Sequence, residues 1–514
     1  MRLRNPLFLM AIVCLASAAT DRAHASDGVV GPGNCNEAGL ASVLNAVQGT
    51  GGGTITFNCG VAPLTIAISS YKQISATVTI DGAGLITLSG ANTSAFFQVF
   101  VAGRLTLRRM TLTNGRFNAV APLENFGMLV IDNSTIRDNQ SSEGTISNNA
   151  SLVVMSSTFM NNQVASGISR AGGAIRNNGG PVAVVNSTFS GNAVSLSFGN
   201  GGAIAHLGGD LTIRGSHFNN NTAPDGGALF VAAGATAKIA DSTFSTNQGG
   251  YGSAIESSGS SLRIRDSVFT GNLATVGDGG AIWLLAGVVD IDRSQFQNNQ
   301  SNSTGGAISC YGDSLMINNS TFTGNQASGQ GGALYSGCGM LVRNSTFHAN
   351  STVGTHGGGA ISQTGAPSGL VLFSTISQNT AAFGAGLYGN GSSGGTFFVG
   401  QSILSANSGG NCDGVVGSNG YNLSSDTNCG GFVQTGDAQN VSLPLLGLGN
   451  FGGPTLTRPP GAGNVAINRI PPASCFVSYD QRGGVRPAGG ACDSGAVEIN
   501  AIIDRIFLDG FDSF

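Results

Sequence analysis

Asp241 and Asp266 hold the same place in two successive repeats of this chain, three residues before Phe244 and Phe269. Paired carboxylates on a rigid frame are what glycoside hydrolysis and Ca²⁺ binding both require. Their column runs Asn186, Gly215, Asp241, Asp266, Arg293, Asn319, Asn344; beside it runs Arg214, Ala240, Arg265, Asp292, Asn318, Arg343. Arg265 and Arg293 are near enough to pair with the two aspartates. The columns then form a solvated salt-bridge ladder worth little energy, and the competing reading is a cation or sugar site. A second group, Asp480, Arg482, Arg486, Asp493 and Glu498, has the composition of an active site. Its Gly, Pro and Cys neighbours suit tight turns, so it reads as a structural ion-pair network. Elsewhere chemistry is sparse. No Asp-Asp pair occurs, Lys appears only at Lys72 and Lys238, and His206, His217, His348 and His356 stand in no recognisable motif. The sequence therefore assigns no catalytic, cofactor-binding or metal-ligating residue, and it implies no cofactor.

The cysteines are the next chemistry. Behind Cys14 stand eight: Cys35, Cys59, Cys310, Cys338, Cys412, Cys429, Cys475 and Cys492. An even number in an exported chain argues for disulfides, read here as sequential pairs. Zinc is the rival, but there is no Cys-x-x-Cys. Export itself is read from Arg2 and Arg4, the apolar run Leu7 to Ala19, and Ala23-His24-Ala25, with cleavage expected after Ala25. That run falls short of the roughly 18 residues a membrane span needs, so the mature chain is expected to carry no transmembrane segment.

The element that must position all of this is a repeat. A block of roughly 26 residues recurs between residues 130 and 410, a period that marks a solenoid. Each block carries Ser-x-Phe-x-x-Asn, as at Ser187 to Asn192, and Gly-Gly-Ala-Ile/Leu, as at Gly201 to Ile204. Apolar residues sit seven and five before the Phe: Leu211 and Ile213, Leu262 and Ile264, Val289 and Ile291, Leu315 and Ile317. Period two is a strand with one buried face. Three short strands per coil, stacked in register, predict an all-β, right-handed parallel β-helix of the pectin-lyase-like kind. Phe189, Phe218, Phe244, Phe269, Phe296, Phe322 and Phe347 are expected to stack inside. Asn192, Asn221, Asn247, Asn272, Asn299, Asn325 and Asn350 are expected to form a side-chain ladder that satisfies turn backbone groups. Cys310 and Cys338, each just after a Gly-Gly-Ala strand, then fall on neighbouring rungs.

The 82 Gly and 9% charged residues would suit disorder, but the apolar residues are periodic and reach 41%. With 22 Lys+Arg and a net charge of −4 there is no basic stripe, so nucleic acid is not an expected partner. Before residue 130 the pattern is looser: Thr54 to Phe57, Val78 to Gly82, Ile86 to Leu88 and Leu105 to Leu107 read as early coils. Ala41 to Val47 reads as a short helix capping the first coil, pinned by Cys35–Cys59, because an uncovered solenoid end exposes a sheet edge. The domains expected are 1–25 signal peptide, 26–410 β-helix with its N-terminal cap, 411–499 C-terminal cap and 500–514 a short tail.

The Gly-Gly-Ala-Ile and Phe-x-x-Asn pairs resemble the repeats of chlamydial polymorphic outer-membrane proteins. Gly452-Gly453-Pro454-Thr455-Leu456-Thr457, Asp480-Gln481-Arg482-Gly483, Arg486-Pro487 and Cys492-Asp493-Ser494-Gly495-Ala496-x-Glu498 together resemble the choice-of-anchor Q domain of bacterial β-helix proteins. Gly463-Asn464-Val465-Ala466-Ile467-Asn468 departs from that domain's usual Gly-Ser-Pro-Ala-Ile-Asp. The resemblance implies a bacterial protein, secreted or displayed at the cell surface, with Asn500 to Phe514 as a sorting tail; it implies no activity. The function expected is adhesion, with glycans or host or neighbour surface proteins as partners and no catalysis. The alternative is a polysaccharide-active lyase or hydrolase.

Overall fold

The computed structural model describes residues 26–503 except 117–120, 166–170, 198, 366–367 and 392–395. The signal-peptide reading and most of the tail lie outside the described residues. The chain is a parallel β-solenoid of about 14 turns with 4% helix. Its described strands form three parallel sheets of 28, 15 and 9 strands.

One coil shows how the repeat is built. Strands Ile204–His206, Asp210–Arg214, His217–Asn219 and Thr222–Asp225 follow each other around the axis. The expected three strands are thus four segments. The first two belong to the same large sheet and fuse into one continuous strand at Ile255–Arg265 and at Ile282–Asp292. Bends separate the segments, and their backbone explains the motifs. The residue three before each Phe has a left-handed φ: 48° at Asn186, 60° at Gly215, 51° at Asp241, 49° at Asp266 and at Arg293. Asn, Asp and Gly tolerate that region best, so this column is first a backbone requirement. At the Gly-Gly corner, Gly279 has φ 70°, and a Cβ on Gly280 would lie 1.9 Å from the Gly306 carbonyl oxygen. Both glycines are therefore needed for rungs to close up.

Inside, Phe159 to Phe347 form one file of fully buried rings, with centroids 4.6–5.0 Å apart and planes within 6°. Beside it runs a file of buried asparagines. Asn247 Nδ2 donates to Asn272 Oδ1 (3.0 Å) and to the Phe218 carbonyl (2.9 Å), and Asn272 Oδ1 also accepts the Asn247 backbone N–H (3.1 Å). The same pattern joins Asn192, Asn221, Asn299, Asn325 and Asn350. A serine file adds a second rail: Ser242 Oγ accepts the Ser216 N–H and donates to the Ala240 carbonyl.

Four disulfides tie the chain: Cys35–Cys59, Cys310–Cys338, Cys412–Cys429 and Cys475–Cys492. Cys310 and Cys338 have Cα atoms 5.8 Å apart. The N-terminal helix spans Glu37–Gly49, longer than expected because Asn36 caps it, its Oδ1 accepting the Gly39 N–H. Leu40, Leu44 and Val47 close the first coil.

The C-terminal region departs from expectation. Residues 411–499 are not a single end cap. Strands Cys412–Gly414, Gly417–Ser418 and Leu423–Ser424 still belong to the solenoid sheets, and Val416, Cys429 and Phe432 close its core. The chain then folds back along the flank. Gln481 Nε2 donates to Thr321 Oγ1 (2.9 Å) and to the Ser320 carbonyl, and its Oε1 accepts from Thr346 (2.6 Å). Ala496 N–H donates to Thr375 Oγ1 (3.0 Å). Thr321, Thr346 and Thr375, on the outer face of the 15-stranded sheet, are fully buried beneath this strap. An uncovered hydroxyl column offered it bonds at every rung.

Candidate functional site

The residues singled out in the sequence are held in structural pairs. Arg293 grips Asp266 in a two-pronged bond at 2.9 Å and reaches Asp292 at 2.6 Å, while Arg214 binds Asp241 at 3.2 Å. Arg265, Asp292, Asn318 and Arg343 line a shallow hollow of ≈ 470 Å³, closed by Phe476 and Tyr479 of the strap. Burial raises the pKa of Asp292 despite Arg293. In the strap, Arg482 binds Asp480 (2.8 Å) and Arg486 binds Glu498 (3.2 Å). Glu498 also accepts the Ala488 and Asp493 N–H groups, so these charges brace turns. His206 is fully buried, between Asn177 and the Gly209 carbonyl, and burial lowers its pKa. Among the described residues no group of three His, Cys, Asp or Glu could hold a metal ion.

A different surface gathers unusual residues. It lies at the Gly-Gly corner and consists of two columns. One is the residue after the buried Ile/Leu anchor: Phe230, Glu256, Trp283, Ser309, Tyr335, Ser362 and Tyr388 in unbroken register. The other is the residue before the Gly-Gly: Asp225, Tyr251, Asp278, Thr304, Gln330, Gly357 and Phe383, linked rung to rung by backbone bonds. In a strand successive side chains face opposite ways, so Ile282 points into the core and Trp283 out of it. The strip holds the chain's one Trp and, counting Tyr311, four of its seven Tyr.

The strip is built. Tyr251 packs at a tilt against Trp283 (4.5 Å) and Tyr311 against Tyr335 (5.4 Å), while Phe383 meets Tyr388 edge to face (5.0 Å). Gly277 and Gly357 leave the room: a Cβ there would strike the Tyr251 and Phe383 rings at 2.0 and 2.3 Å. Asp278 accepts from Thr304 Oγ1 (2.8 Å) and Tyr311 OH (3.1 Å), and Thr364 donates to Tyr335 OH (2.9 Å).

Glu256 is the exception to this pairing. It is 95% buried by its 5% relative exposure, and its Oε2 has no partner. On the adjacent rung Trp283 Nε1, also buried, has none either. Burial first, and then the Asp225 carboxylate, push the Glu256 pKa up to about 8; burial also raises Asp225. A carboxyl that keeps its proton near neutrality can donate a hydrogen bond. Orphaned polar atoms beside aromatic faces are what a site for a polar ring offers when empty of protein partners. Reading the repeats down the position after the anchor would have exposed this column; aligning on Phe directs attention to the other bend.

Fold and repeat grammar together define a right-handed parallel β-helix. The profile described as "Right handed beta helix region" matches residues 123–300, and that of the "Chlamydia polymorphic membrane protein (Chlamydia_PMP) repeat" matches 293–311 and 319–337. The chain is thus a right-handed β-helix protein carrying repeats of the polymorphic membrane protein type. Among curated proteins it is similar to the "Probable autotransporter YfaL" of Escherichia coli (strain K12), 39% identical over 93 residues, which is 16% of this chain. The match covers 7% of that relative's length. No solved structure matches. No described helix is long and apolar enough to cross a membrane, which says nothing of β-barrels.

Proposed function

We propose that this is an exported, surface-displayed β-helix protein that binds glycans along the strip from Asp225 to Tyr388. The observation carrying the reading is the conjunction at Glu256 and Trp283: outward aromatic faces next to buried polar atoms without partners. Aromatic faces pack the C–H face of a sugar ring, and the partly exposed polar groups beside them, Asp278, Thr304 and Gln330, meet its hydroxyls. Surface display is supported by similarity to an autotransporter and to polymorphic membrane protein repeats. In the same reading the strap is the choice-of-anchor Q-like segment, a brace for the helix with no chemistry of its own.

Trp283 is the chain's single Trp, so intrinsic fluorescence reports on the strip alone. Titrating the mature protein with a glycan panel is expected to shift that emission for at least one glycan, and Glu256→Ala to abolish the response. Unchanged emission across the panel, with binding found elsewhere by pull-down, refutes the reading.

Hydrolysis is the second reading, favoured by one observation: Glu256 retains its proton near neutrality beside the Asp225 carboxylate, the two-carboxyl arrangement of a general acid and its partner. Release of reducing ends from a bound glycan, lost in Glu256→Gln with binding intact, would install it.

A further inference from the structure

The strip has a period of its own. Down the column after the anchor, Trp283, Ser309, Tyr335, Ser362 and Tyr388 alternate aromatic and serine in consecutive rungs. Nothing in the fold demands this, since the core is satisfied by Ile282, Ile308, Leu334, Ile361 and Leu387, all fully buried. Rungs lie about 4.8 Å apart, so the aromatic platforms recur roughly every 9.5 Å along the axis. The serines between them are engaged with the second column: Ser309 with Thr304 (3.1 Å) and Ser362 with Gln330 (3.2 Å). From Asp225 to Tyr388 the two columns contain the carboxyl groups of Asp225, Glu256 and Asp278 and no Lys or Arg.

Resting on the glycan-binding reading, we infer that the ligand is an uncharged, extended β-linked polysaccharide lying along the solenoid axis, with every second sugar stacked on Trp283, Tyr335 or Tyr388. Two rungs match the length of a disaccharide in a ribbon-like β-1,4-linked chain, whose alternate residues present the same face. A coiled α-linked chain does not keep that phase. The Asp225 and Asp278 carboxylates, with no Lys or Arg in either column to offset them, repel polyuronates by like charge. Between platforms the partly exposed Asp278, Thr304 and Gln330 of the second column meet the hydroxyls of the sugars.

The test is a chain-length series. Cello-, xylo- and chito-oligosaccharides of about two to eight sugars, lengths that run from one platform to beyond all three at the rung spacing, together with polygalacturonate and alginate, are titrated against Trp283 emission. Affinity is expected to rise in steps of two sugars for at least one neutral series. Tyr335→Ala is expected to weaken the hexasaccharide about tenfold, the loss of one stacking platform, and to weaken the disaccharide, which still has two platforms, by much less. Tyr388→Ala repeats the measurement at the next platform, and a circular dichroism spectrum matching the parent checks that each variant is folded. Three results would overturn the inference: tighter binding of polyuronates, affinity rising smoothly with length, or equal losses for short and long chains. A response to acidic glycans alone sinks this inference and leaves glycan binding standing. A response to none sinks both.

Discussion

Replacing Asn272 with alanine removes four hydrogen bonds from the solenoid interior. Its Nδ2 no longer donates to the Phe244 carbonyl (3.0 Å) or to Asn299 Oδ1 (2.8 Å). Its Oδ1 no longer accepts the side chain or the backbone N–H of Asn247, at 3.0 and 3.1 Å. Asn247 Nδ2 keeps the Phe218 carbonyl, but its backbone N–H is left buried without an acceptor. An orphaned buried donor costs about 1–3 kcal/mol, and each other lost bond about 1 kcal/mol net. The expected loss is about 4–6 kcal/mol. Trp283 lies at the start of the coil that follows Asn272, so urea unfolding followed by its emission reads this part of the solenoid. Gln300→Ala, at an exposed position of the next coil, is the control. Asn272→Asp keeps the acceptor and loses the donors, so its defect is expected to ease in acid as the carboxyl regains a proton. If Asn272→Ala falls within about 1 kcal/mol of the control, the ladder is ornamental and the account of the repeat's Asn is wrong.

Three further outcomes follow from the same structure. Replacing both Cys310 and Cys338 with serine frees a loop of 28 residues, a loss of about 3.5 kcal/mol by loop entropy, read as a lower urea midpoint than the oxidised parent. Glu256 has its folded pKa raised from 4.5 to about 8, so the stability it contributes is full below pH 4.5 and is lost as pH rises through about 8. Glu256→Gln is therefore expected to gain on the parent at pH 9 and not at pH 4, in thermal melts across that range. Gln481→Ala removes the strap's bonds to Thr321 and Thr346 and is expected to expose residues 444–499 to limited proteolysis while the solenoid stays resistant.

The coil was legible because its demands repeat. Phe189, Phe218 and Phe244 recur with Ser two before and Asn three after, and each residue type answers one local need. The ring fills the interior, the serine bonds a bend, and the asparagine satisfies the next. The N-terminal helix was legible over Ala41 to Val47 but not in its full length, because Asn36 extends it through a side-chain cap. The strap was misread for a physical reason. Its contacts join Gln481 to Thr321 across 160 positions, and nothing local in a Gly- and Pro-rich stretch specifies which face it will cover. The aromatic strip was missed because alignment on Phe brings forward Asp241 and Asp266 instead. Their column is polar since its φ is left-handed, a demand sequence alone expresses as Asn, Asp or Gly without saying why.

A stacked β-coil divides its information between alternate residues. At Ile282, Ile308, Leu334, Ile361 and Leu387 the fold chooses, and the choice barely varies. One residue on, the fold has no preference, and the chain places Trp, Ser, Tyr, Ser and Tyr. Trp283, Tyr335 and Tyr388 are only partly covered, and partly exposed rings invite association, so a solenoid without use for them is better served by Thr or Asn. The strap sharpens the point. Its bonds run to Thr321, Thr346 and Thr375 on the 15-stranded sheet, a hydroxyl face that needed no cover. The aromatic strip lies on the large sheet, and its Tyr311 remains 41% exposed. A segment long enough to bury one flank of the helix has been spent on the polar one. The open flank is the one under which Glu256 Oε2 and Trp283 Nε1 lie buried without partners, and it is the flank on which the proposed ligand would lie.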